Sequence, residues 1–468
     1  MKCTGRSPES EVMPGIEVLS AVPNIGRDHP VPNHTEENMY QVRNHTRLLL
    51  LSLLAVGALG VAACGGGSTA APTSAPAAEK VIKIGVEGPF TGPSARTGEE
   101  FKGSVQMAFE AINYKVGDYK IELVWIDDQS DPEKGTRAYE EAVVGQGIIA
   151  GFLGWHSSVA VAQMEVTAKH KIPHFFAMGA TGLVNEKFNS DKEKYGYWTS
   201  KGWPDPSKLS IAYVNTLEDA AKAGIWKPEE KKVAIWGEDT DWGRSFGGAI
   251  KKQFEDAGWT VVSEDYFTKE QTDFQAVLNR YKDEKIPVLA GTSTIPPSIS
   301  AFVKQADEVG LKSLIIADGL GWVGEWYNLT GSSSNYVVDQ IPGWTTDEAK
   351  KFAADFEKKW GITPSPSAAG LSYDFANFFI KILQTALADS GELTSASIYK
   401  VAQDKLWTGQ LTYTDGIVMS EYKYTADAIP DPVVGKGYYV FPVLQYHDGN
   451  SAVIWPDEWK TGQLEAKP

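Results

Sequence analysis

Two small polar segments follow consecutive predicted strands, where a parallel sheet commonly binds ligands. Ser157 and Ser158 come after the apolar stretch 147–153 and open a predicted helix. The N–H groups at a helix N-terminus are unpaired and carry partial positive charge, which suits a carboxylate or carbonyl oxygen. The alternative is that Ser158 only caps the helix. Ala180 and Thr181 follow the next predicted strand and occupy the equivalent place one unit later.

Tryptophan is frequent in this chain, with 15 residues, and several fall in predicted loops near these segments. Trp155 stands in a polar loop, and Trp242 precedes Gly243 at a predicted helix start. An aromatic side chain can bury the apolar part of a ligand at little entropic cost, so both are candidate pocket walls. Core packing is the alternative, and Trp322 and Trp326 leave both interpretations open. The high count favours a flatter or more polar ligand over a purely aliphatic one.

The residue patterns of common enzyme classes are absent or wrongly arranged. Asp127 and Asp128 are adjacent on a predicted strand, so their side chains point to opposite faces and do not act as a pair. His170 and His174 have metal-ligand spacing, but Pro173 breaks any helix between them. The sequence has no GxGxxG fingerprint, no phosphate-loop Gly-Lys-Ser/Thr and no Gly-x-Ser-x-Gly elbow. We therefore expect neither enzymatic activity nor a cofactor nor a metal.

The N-terminal segment has the pattern of a secretion signal that ends on a cysteine. Arg43 and Arg47 precede the apolar residues 48–61, and small residues then lead to Cys64. The apolar run is too short to span a bilayer, which needs about 20 residues. The pattern resembles the bacterial lipoprotein signal, in which the cysteine is acylated and becomes the new N-terminus. It predicts a signal peptide over residues 39–63 and a lipid on Cys64 that anchors the protein to the bacterial cell membrane.

The residues on either side of this signal are not expected to fold. Residues 1–38 look like neither signal nor domain, and we expect that translation starts at Met39. Residues 64–80 are rich in Gly, Ala, Ser, Thr and Pro, a composition that cannot bury a core and forms a flexible tether. Both cysteines, Cys3 and Cys64, precede the folded part, which therefore has no disulfide, thiol nucleophile or Cys-based zinc site.

From residue 81 onward, predicted strands alternate with predicted helices, which is typical of βαβ units and a parallel sheet. In the first helix, Phe101, Val105 and Ala108 recur at three- and four-residue spacing and define a buried face. The predicted strands are residues 81–86, 121–126, 147–153, 172–177, 232–236, 260–264, 288–291 and 313–317. The predicted helices are residues 99–113, a helix opened by Asp131 and Pro132, 158–170, 208–223, 243–257, 274–283, 298–309, 346–360 and 372–387. Residues 179–206 break the rhythm, and residues 435–455 alternate like an antiparallel hairpin.

Several short motifs occur in a characteristic order along residues 81–455. They are Ile82-Lys83-Ile84-Gly85-Val86, Gly88-Pro89-Phe90-Thr91-Gly92-Pro93, Gly98, Ala111-Ile112-Asn113, Asp127-Asp128, Asp131-Pro132, Gly154, Ser157-Ser158, Ile172-Pro173, Ala180-Thr181 and Asp239-Thr240-Asp241-Trp242-Gly243. Together they resemble the type I periplasmic binding proteins, and more narrowly the branched-chain amino acid and amide binders of ATP-driven importers.

The resemblance implies an α/β fold of two doubly wound parallel-sheet lobes joined by a hinge of three crossovers. It places residues 81–205 and 343–405 in the first lobe, and residues 206–342 and 406–460 in the second. The ligand would lie between the lobes, outside the carboxyl ends of the strands. Closure would be a hinge motion favoured by ligand contacts to both lobes.

The resemblance also implies roles for particular residues. In the family, the segment at Ala180 and Thr181 supplies backbone and hydroxyl contacts to the polar head of the ligand. In amino-acid-binding relatives an acidic residue near Asp318 meets the ammonium group, where a charge-assisted hydrogen bond would add affinity. A turn formed by Asp318 is the alternative, and Asp239 and Asp241 are weaker candidates for the same contact.

The function that follows is capture of a small polar ligand, an amino acid or amide-like compound, and its delivery to the permease subunits of an ABC importer. The net charge is −16 and no Lys/Arg cluster is present, which excludes nucleic acid as an expected partner. We expect a monomer. The alternative is a receptor-like sensor that uses the same two-lobed body to report a ligand to a membrane partner.

Overall fold

The computed structural model describes residues 80–468 except Lys436 and Val440. The predicted signal peptide, the predicted lipid site Cys64 and nearly all of the predicted tether lie outside the described residues. Within the described part of the chain, no helix has both the length and the apolar character needed to cross a membrane. In the same part, no group of three His, Cys, Asp or Glu side chains is placed to hold a metal ion.

The first lobe is built on a five-stranded sheet in the order β2-β3-β1-β4-β5. Its strands are β1 (Lys80–Gly88), β2 (Lys115–Val116), β3 (Tyr119–Asp127), β4 (Ala150–Leu153) and β5 (His174–Phe175). Its helices to this point are α1 (Ala95–Ala111), α2 (Pro132–Glu141), α3 (Ser157–His170), α4 (Gly182–Ser190) and α5 (Lys192–Tyr195). Neighbouring strands are parallel except β2 and β3. The second half of β1 is fully buried, as expected for a parallel strand covered by helices on both faces.

The second lobe contains a seven-stranded sheet in the order β12-β11-β10-β9-β8-β6-β7. Its strands are β6 (Lys232–Glu238), β7 (Thr260–Phe267), β8 (Val288–Thr292), β9 (Leu314–Asp318), β10 (Val338–Gln340), β11 (Val443–His447) and β12 (Asn450–Trp455). Its helices are α6 (Pro206–Leu209), α7 (Ile211–Lys222), α8 (Asp241–Asp256), α9 (Gln275–Asp283), α10 (Pro296–Glu308) and α11 (Trp326–Thr330). Strands β6 to β10 pair in parallel, whereas β11 and β12 are antiparallel.

After β10 the chain returns to the first lobe. There it forms α12 (Asp347–Trp360), α13 (Ser372–Ser390) and α14 (Ser395–Val401). Helix α13 packs on the first sheet, where Phe379 stacks on Phe152 of β4 with ring centroids 4.7 Å apart. The chain then enters the second sheet again for β11 and β12. It therefore passes between the lobes three times, and the expected pair of lobes joined by three crossovers is confirmed.

The stretch that follows Lys405 does not go directly to the second lobe, where residues 406–460 were expected. Tyr422 donates a hydrogen bond to Asp374 of α13 at 2.6 Å, and Tyr413 stacks on Phe378 with ring centroids 5.4 Å apart. Residues 413–422 therefore cover the first lobe. The aromatic residues of this stretch have no regular spacing, so the sequence does not indicate which lobe they pack against.

The predicted ends of helices and strands agree best with the structure where the sequence contains a clear capping residue. Helix α2 begins after Asp131, whose side chain accepts a hydrogen bond from the backbone N–H of Lys134 at 2.9 Å. Strand β5 is shorter than the predicted 172–177 because Phe176 adopts φ 54°, which ends the extended conformation. The predicted break contains helices α4 and α5, and the C-terminal hairpin is confined to β11 and β12.

Candidate functional site

A cavity lies between the lobes at the carboxyl ends of β4, β8 and β9. In each sheet the strand order reverses beside the first strand of the lobe, β1 or β6, and a crevice forms at such switch points of doubly wound sheets. The loops that follow the neighbouring strands converge there. The described residues that line the cavity are Trp155, Ser157, Met178, Trp203, Trp242, Thr292, Ser293, Thr294, Asp318, Gly319, Trp322, Gln340 and Ile341.

Two tryptophans from opposite lobes meet face to face in this cavity. Trp155 follows β4 and Trp322 follows β9, and their ring centroids are 4.0 Å apart with 20° between the planes. Trp203 approaches Trp322 edge-on, with ring centroids 5.2 Å apart. The buried Nε1 atoms of Trp155 and Trp322 have no hydrogen-bond partner among the described residues. The stacked rings leave a cavity of about 20 Å³, which has room for roughly one water molecule.

Asp318, the last residue of β9, is the acidic group of the cavity lining. Tyr213 Oη donates a hydrogen bond to Asp318 Oδ1 at 2.7 Å, whereas Thr292 Oγ1 lies 3.5 Å from Oδ2. Burial, together with the neighbouring Asp339 carboxyl, raises the pKa of Asp318 to about 8. The carboxyl group is therefore mostly protonated at neutral pH in this state, and a cation placed beside it would favour the ionised form.

Short hydrogen-bond chains fix the other polar groups of the lining. Trp242 Nε1 donates to Thr292 Oγ1 at 3.0 Å, and Thr292 Oγ1 donates to the backbone oxygen of Asp318 at 2.9 Å. Gln340 Nε2 donates to the backbone oxygen of Phe441 at 3.0 Å, while Gln340 Oε1 has no partner among the described residues. The cavity therefore presents indole donors, one carboxyl group and one amide oxygen between apolar ring faces.

Four of the predicted contact residues line this cavity: Trp155, Ser157, Trp242 and Asp318. Ser157 Oγ accepts a hydrogen bond from the backbone N–H of Thr181 at 3.2 Å, which links the two segments that the sequence singled out. These placements bring the predicted residues together. Their role as ligand contacts stays a prediction.

The other three predicted residues are not part of the described lining of this cavity. Ser158 is the second residue of α3, and its Oγ accepts from a backbone N–H of α8 at 3.3 Å, so it does not cap its own helix. It lines a neighbouring, more polar cavity of about 350 Å³. Thr181 is buried and caps α4, and the backbone oxygen of the buried Ala180 accepts from Lys201 Nζ at 2.8 Å.

Sequence reasoning missed several residues of the lining, including Trp203, Thr292 and Gln340. Thr292 ends β8 and Gln340 ends β10. The rule that drew attention to Asp318 beside β9 would have found both, because all three strands end at the same edge of the sheet. Trp203 lies in the first crossover, residues 196–205 between α5 and α6, whose path no local pattern predicts. Trp322, which the sequence left open between pocket and core, lies in the cavity.

Polar contacts hold the lobes together around this cavity. Arg96, in the first turn of α1, forms an ion pair with Glu325 of the second lobe. Ser94 Oγ donates to the backbone oxygen of Thr294, which follows β8, at 3.1 Å. Because these contacts join groups of opposite lobes, the structure is a closed arrangement.

We expect Glu325→Ala to shift the protein toward an open arrangement. Glu325 is the residue to change, because Arg96 also pairs with the buried Glu100 of its own helix at 3.2 Å and its removal would disturb the first lobe. The side chains of Arg96 and Glu325 are 16% and 25% exposed, so loss of the pair removes about 1 kcal/mol from the closed form, about a fivefold change in the open-to-closed ratio. Small-angle X-ray scattering would record a larger radius of gyration for the ligand-free variant. Arg280→Ala is the matched control, because Arg280 pairs with Asp265 within the second lobe. An equal change in both variants would argue against the role of the pair between Arg96 and Glu325.

Two doubly wound lobes, three crossovers and a cavity between the lobes are the architecture of a two-lobed solute-binding protein. A family model described as periplasmic binding protein matches residues 81–420. The chain belongs to this family, and its fold is that of the type I members. It is therefore a binding protein and not an enzyme, and the family acts outside the cytoplasm.

The chain is similar to proteins named for branched-chain amino acids. It is 27% identical over 293 residues to Leu/Ile/Val-binding protein BraC3 of Rhizobium johnstonii, covering 60% of this chain and 73% of that protein. It is 26% identical over 433 residues to Leu/Ile/Val-binding protein homolog 8 of Brucella suis, covering 89% of this chain and 99% of that protein.

Solved structures share the fold at lower identity. The branched-chain amino acid transporter substrate-binding protein LivJ from Streptococcus pneumoniae, in complex with isoleucine, matches with a TM-score of 0.65 and 19% identity, covering 80% of this chain and 98% of that chain. A solute-binding protein of an ABC transporter from Rhodopseudomonas palustris, in complex with 3,4-dihydroxybenzoic acid, matches with a TM-score of 0.63 and 21% identity, covering 79% and 95%. The predicted α/β class with two lobes is confirmed.

Proposed function

We propose that this chain is a lipid-anchored solute-binding protein that captures a small ligand between its lobes and delivers it to the permease subunits of an ABC importer. The observation that carries the proposal is the cavity at the switch points of both sheets, lined by aromatic and polar groups of both lobes. Membership of the periplasmic binding protein family supports a part in uptake. The lipoprotein-like pattern that ends at Cys64 supports the anchor.

Capture requires the lobes to separate, because the closed cavity holds roughly one water. Separation moves Trp155 away from Trp322 and exposes the apolar faces of both rings. A ligand that enters covers those faces again and meets the unpartnered indole N–H groups. A ligand shifts the equilibrium only by its differential affinity for the two states, so closure requires contacts with both lobes.

The proposed ligand is a small compound of the amino acid or amide type. The names of the Leu/Ile/Val-binding relatives, and the isoleucine in one related structure, support an amino acid. The 3,4-dihydroxybenzoic acid in another shows that the same fold also holds a planar compound. The four tryptophans of the lining suit a ligand that has a flat or bulky apolar part.

The test is thermal unfolding of the purified protein, stripped of bound ligand, against a panel of amino acids, amides, aromatic acids and organic ammonium compounds. A true ligand at a hundredfold its dissociation constant stabilises the folded state by about 2.7 kcal/mol, which raises the unfolding midpoint measurably. Compounds that share net charge and size but do not bind serve as controls within the panel. If a correctly folded protein responds to none of these compounds, the proposed function is wrong.

A further inference from the structure

The cavity between the lobes combines several aromatic faces with one acidic group. Four tryptophans line it, Asp318 is its one carboxyl group, and none of the described residues that line it is a lysine or an arginine. We propose that the ligand is an organic cation, an ammonium group that carries apolar substituents. This inference rests on the proposed capture of a small ligand between the lobes, and it replaces the amino acid or amide with a different class of ligand for the same site.

The tryptophans are arranged as the walls of a cage. Trp155 and Trp322 present their faces from opposite lobes, and Trp203 stands edge-on to Trp322. Trp242 is held in place by the hydrogen bond from its Nε1 to Thr292. The face of an indole ring attracts a cation through its quadrupole, and the attraction is strongest where water is excluded. Apolar substituents on the ammonium group would also bury their surface against the same rings.

Asp318 has unfilled capacity to accept hydrogen bonds. Its Oδ1 accepts from Tyr213 at 2.7 Å, but the nearest donor to its Oδ2 is Thr292 Oγ1 at 3.5 Å. The buried Asp339 nearby differs, because backbone N–H groups and Tyr446 Oη, all within 2.8 Å, already satisfy it. A buried carboxyl group with no cation partner is suited to a positive charge that arrives with the ligand, whether an N–H ammonium or a quaternary ammonium group.

The same arrangement disfavours an anion. An aromatic carboxylate in this cavity would be buried without an opposing positive side chain, and an unpaired buried charge is costly. Lys269 lines the neighbouring polar cavity, not this one. The site therefore selects against the class of compound that the dihydroxybenzoate-bound structure holds.

The test compares choline with 3,3-dimethylbutan-1-ol, which has the same shape without the charge. Isothermal calorimetry on the ligand-stripped full chain should show choline binding on the order of thirtyfold more tightly than the alcohol. Asp318→Asn should remove most of that preference by weakening the binding of choline. Sodium benzoate should not bind.

The pH dependence provides a second measurement, in the unmodified protein. The titratable groups that face Asp318 are Tyr213 of α7, Asp339 of β10 and Tyr446 of β11. Asp318 holds a proton below about pH 8, and choline favours its ionised form, so the affinity for choline should rise with pH up to about 8 and level off above it. Binding at neutral pH should release a proton, which calorimetry detects through buffers of different ionisation enthalpy.

Each outcome decides the inference separately from the proposed function. If L-leucine binds but choline is no tighter than the alcohol, the cation inference is wrong and the proposed function stands. If no compound of the full panel, choline included, binds to the folded protein, both are wrong. If Asp318→Asn does not fold, a choline affinity that is independent of pH in the unmodified protein still overturns the inference.

Discussion

Asp431→Ala is expected to lower the free energy of unfolding by about 3–5 kcal/mol. The Asp431 side chain is fully buried; its Oδ1 lies 2.8 Å from Nζ of the equally buried Lys201, and its Oδ2 lies 2.7 Å from Nζ of Lys208. Without the carboxylate, the ammonium group of Lys201 remains buried with no opposite charge, which costs more than the ion pair itself contributes. Urea unfolding of the ligand-free protein, followed by circular dichroism, measures the loss.

Lys208→Ala is the matched control, because it removes a partner of the same carboxylate whose side chain is 39% exposed. That change should cost less than about 1 kcal/mol. The double change Lys201→Met with Asp431→Leu should recover most of the loss, since apolar replacement of a buried ion pair is often neutral. An Asp431→Ala variant that loses less than about 1 kcal/mol would show that this cluster does not stabilise the fold.

The cluster matters because it connects two of the three crossovers. The backbone N–H of Lys201 donates to the carbonyl of Pro430 at 2.7 Å, and that of Asp205 donates to Asp431 Oδ2 at 3.2 Å. Burial alone raises the pKa of Asp431, but Lys201 and Lys208 together lower it below its ordinary value. The stability contributed by this carboxylate is therefore present above the ordinary carboxyl pKa, and it is lost as the pH falls through the lowered value.

The alternation of strands and helices made the fold predictable from the sequence. Apart from Lys232, runs such as 232–236 and 288–291 are apolar because parallel strands are buried on both faces, and the predicted bounds lie close to β6 and β8. The contact of residues 413–422 with the first lobe could not be predicted, because no such pattern is present there. This stretch has no periodicity, and its hydrogen bond to Asp374 of α13 depends on a fold that brings distant segments together.

The candidate site could be predicted only where residues directly follow strands. Trp155 and Asp318 were found because carboxyl ends of parallel strands meet at one edge. Ser158 lies in the first turn of α3, and its hydroxyl accepts from α8 of the other lobe and does not cap its own helix. Trp203 could not be found, since its contact with Trp322 depends on the path of a crossover and on lobe closure.

Trp155→Ala and Trp322→Ala should abolish the same spectroscopic signal and weaken ligand binding. Two indoles stacked 4.0 Å apart couple their transitions and give an exciton couplet in circular dichroism. Either truncation removes the coupling of the stacked pair, while the edge-on contact of Trp203 with Trp322 remains only in Trp155→Ala. An aromatic anchor at the centre of a desolvated site contributes about 2 kcal/mol or more, so the affinity for choline or L-leucine, whichever binds, should fall about thirtyfold.

Trp360→Ala is the control, since Trp360 ends α12 and is only partly buried, outside the described cavity lining. It should retain both the couplet and the affinity. The two measurements separate the roles of the tryptophan pair. Loss of the couplet with unchanged affinity would mean that Trp155 and Trp322 only hold the empty lobes together. Loss of both the couplet and the affinity in each variant would mean that the ligand packs between Trp155 and Trp322. Closure and recognition would then depend on the same two rings.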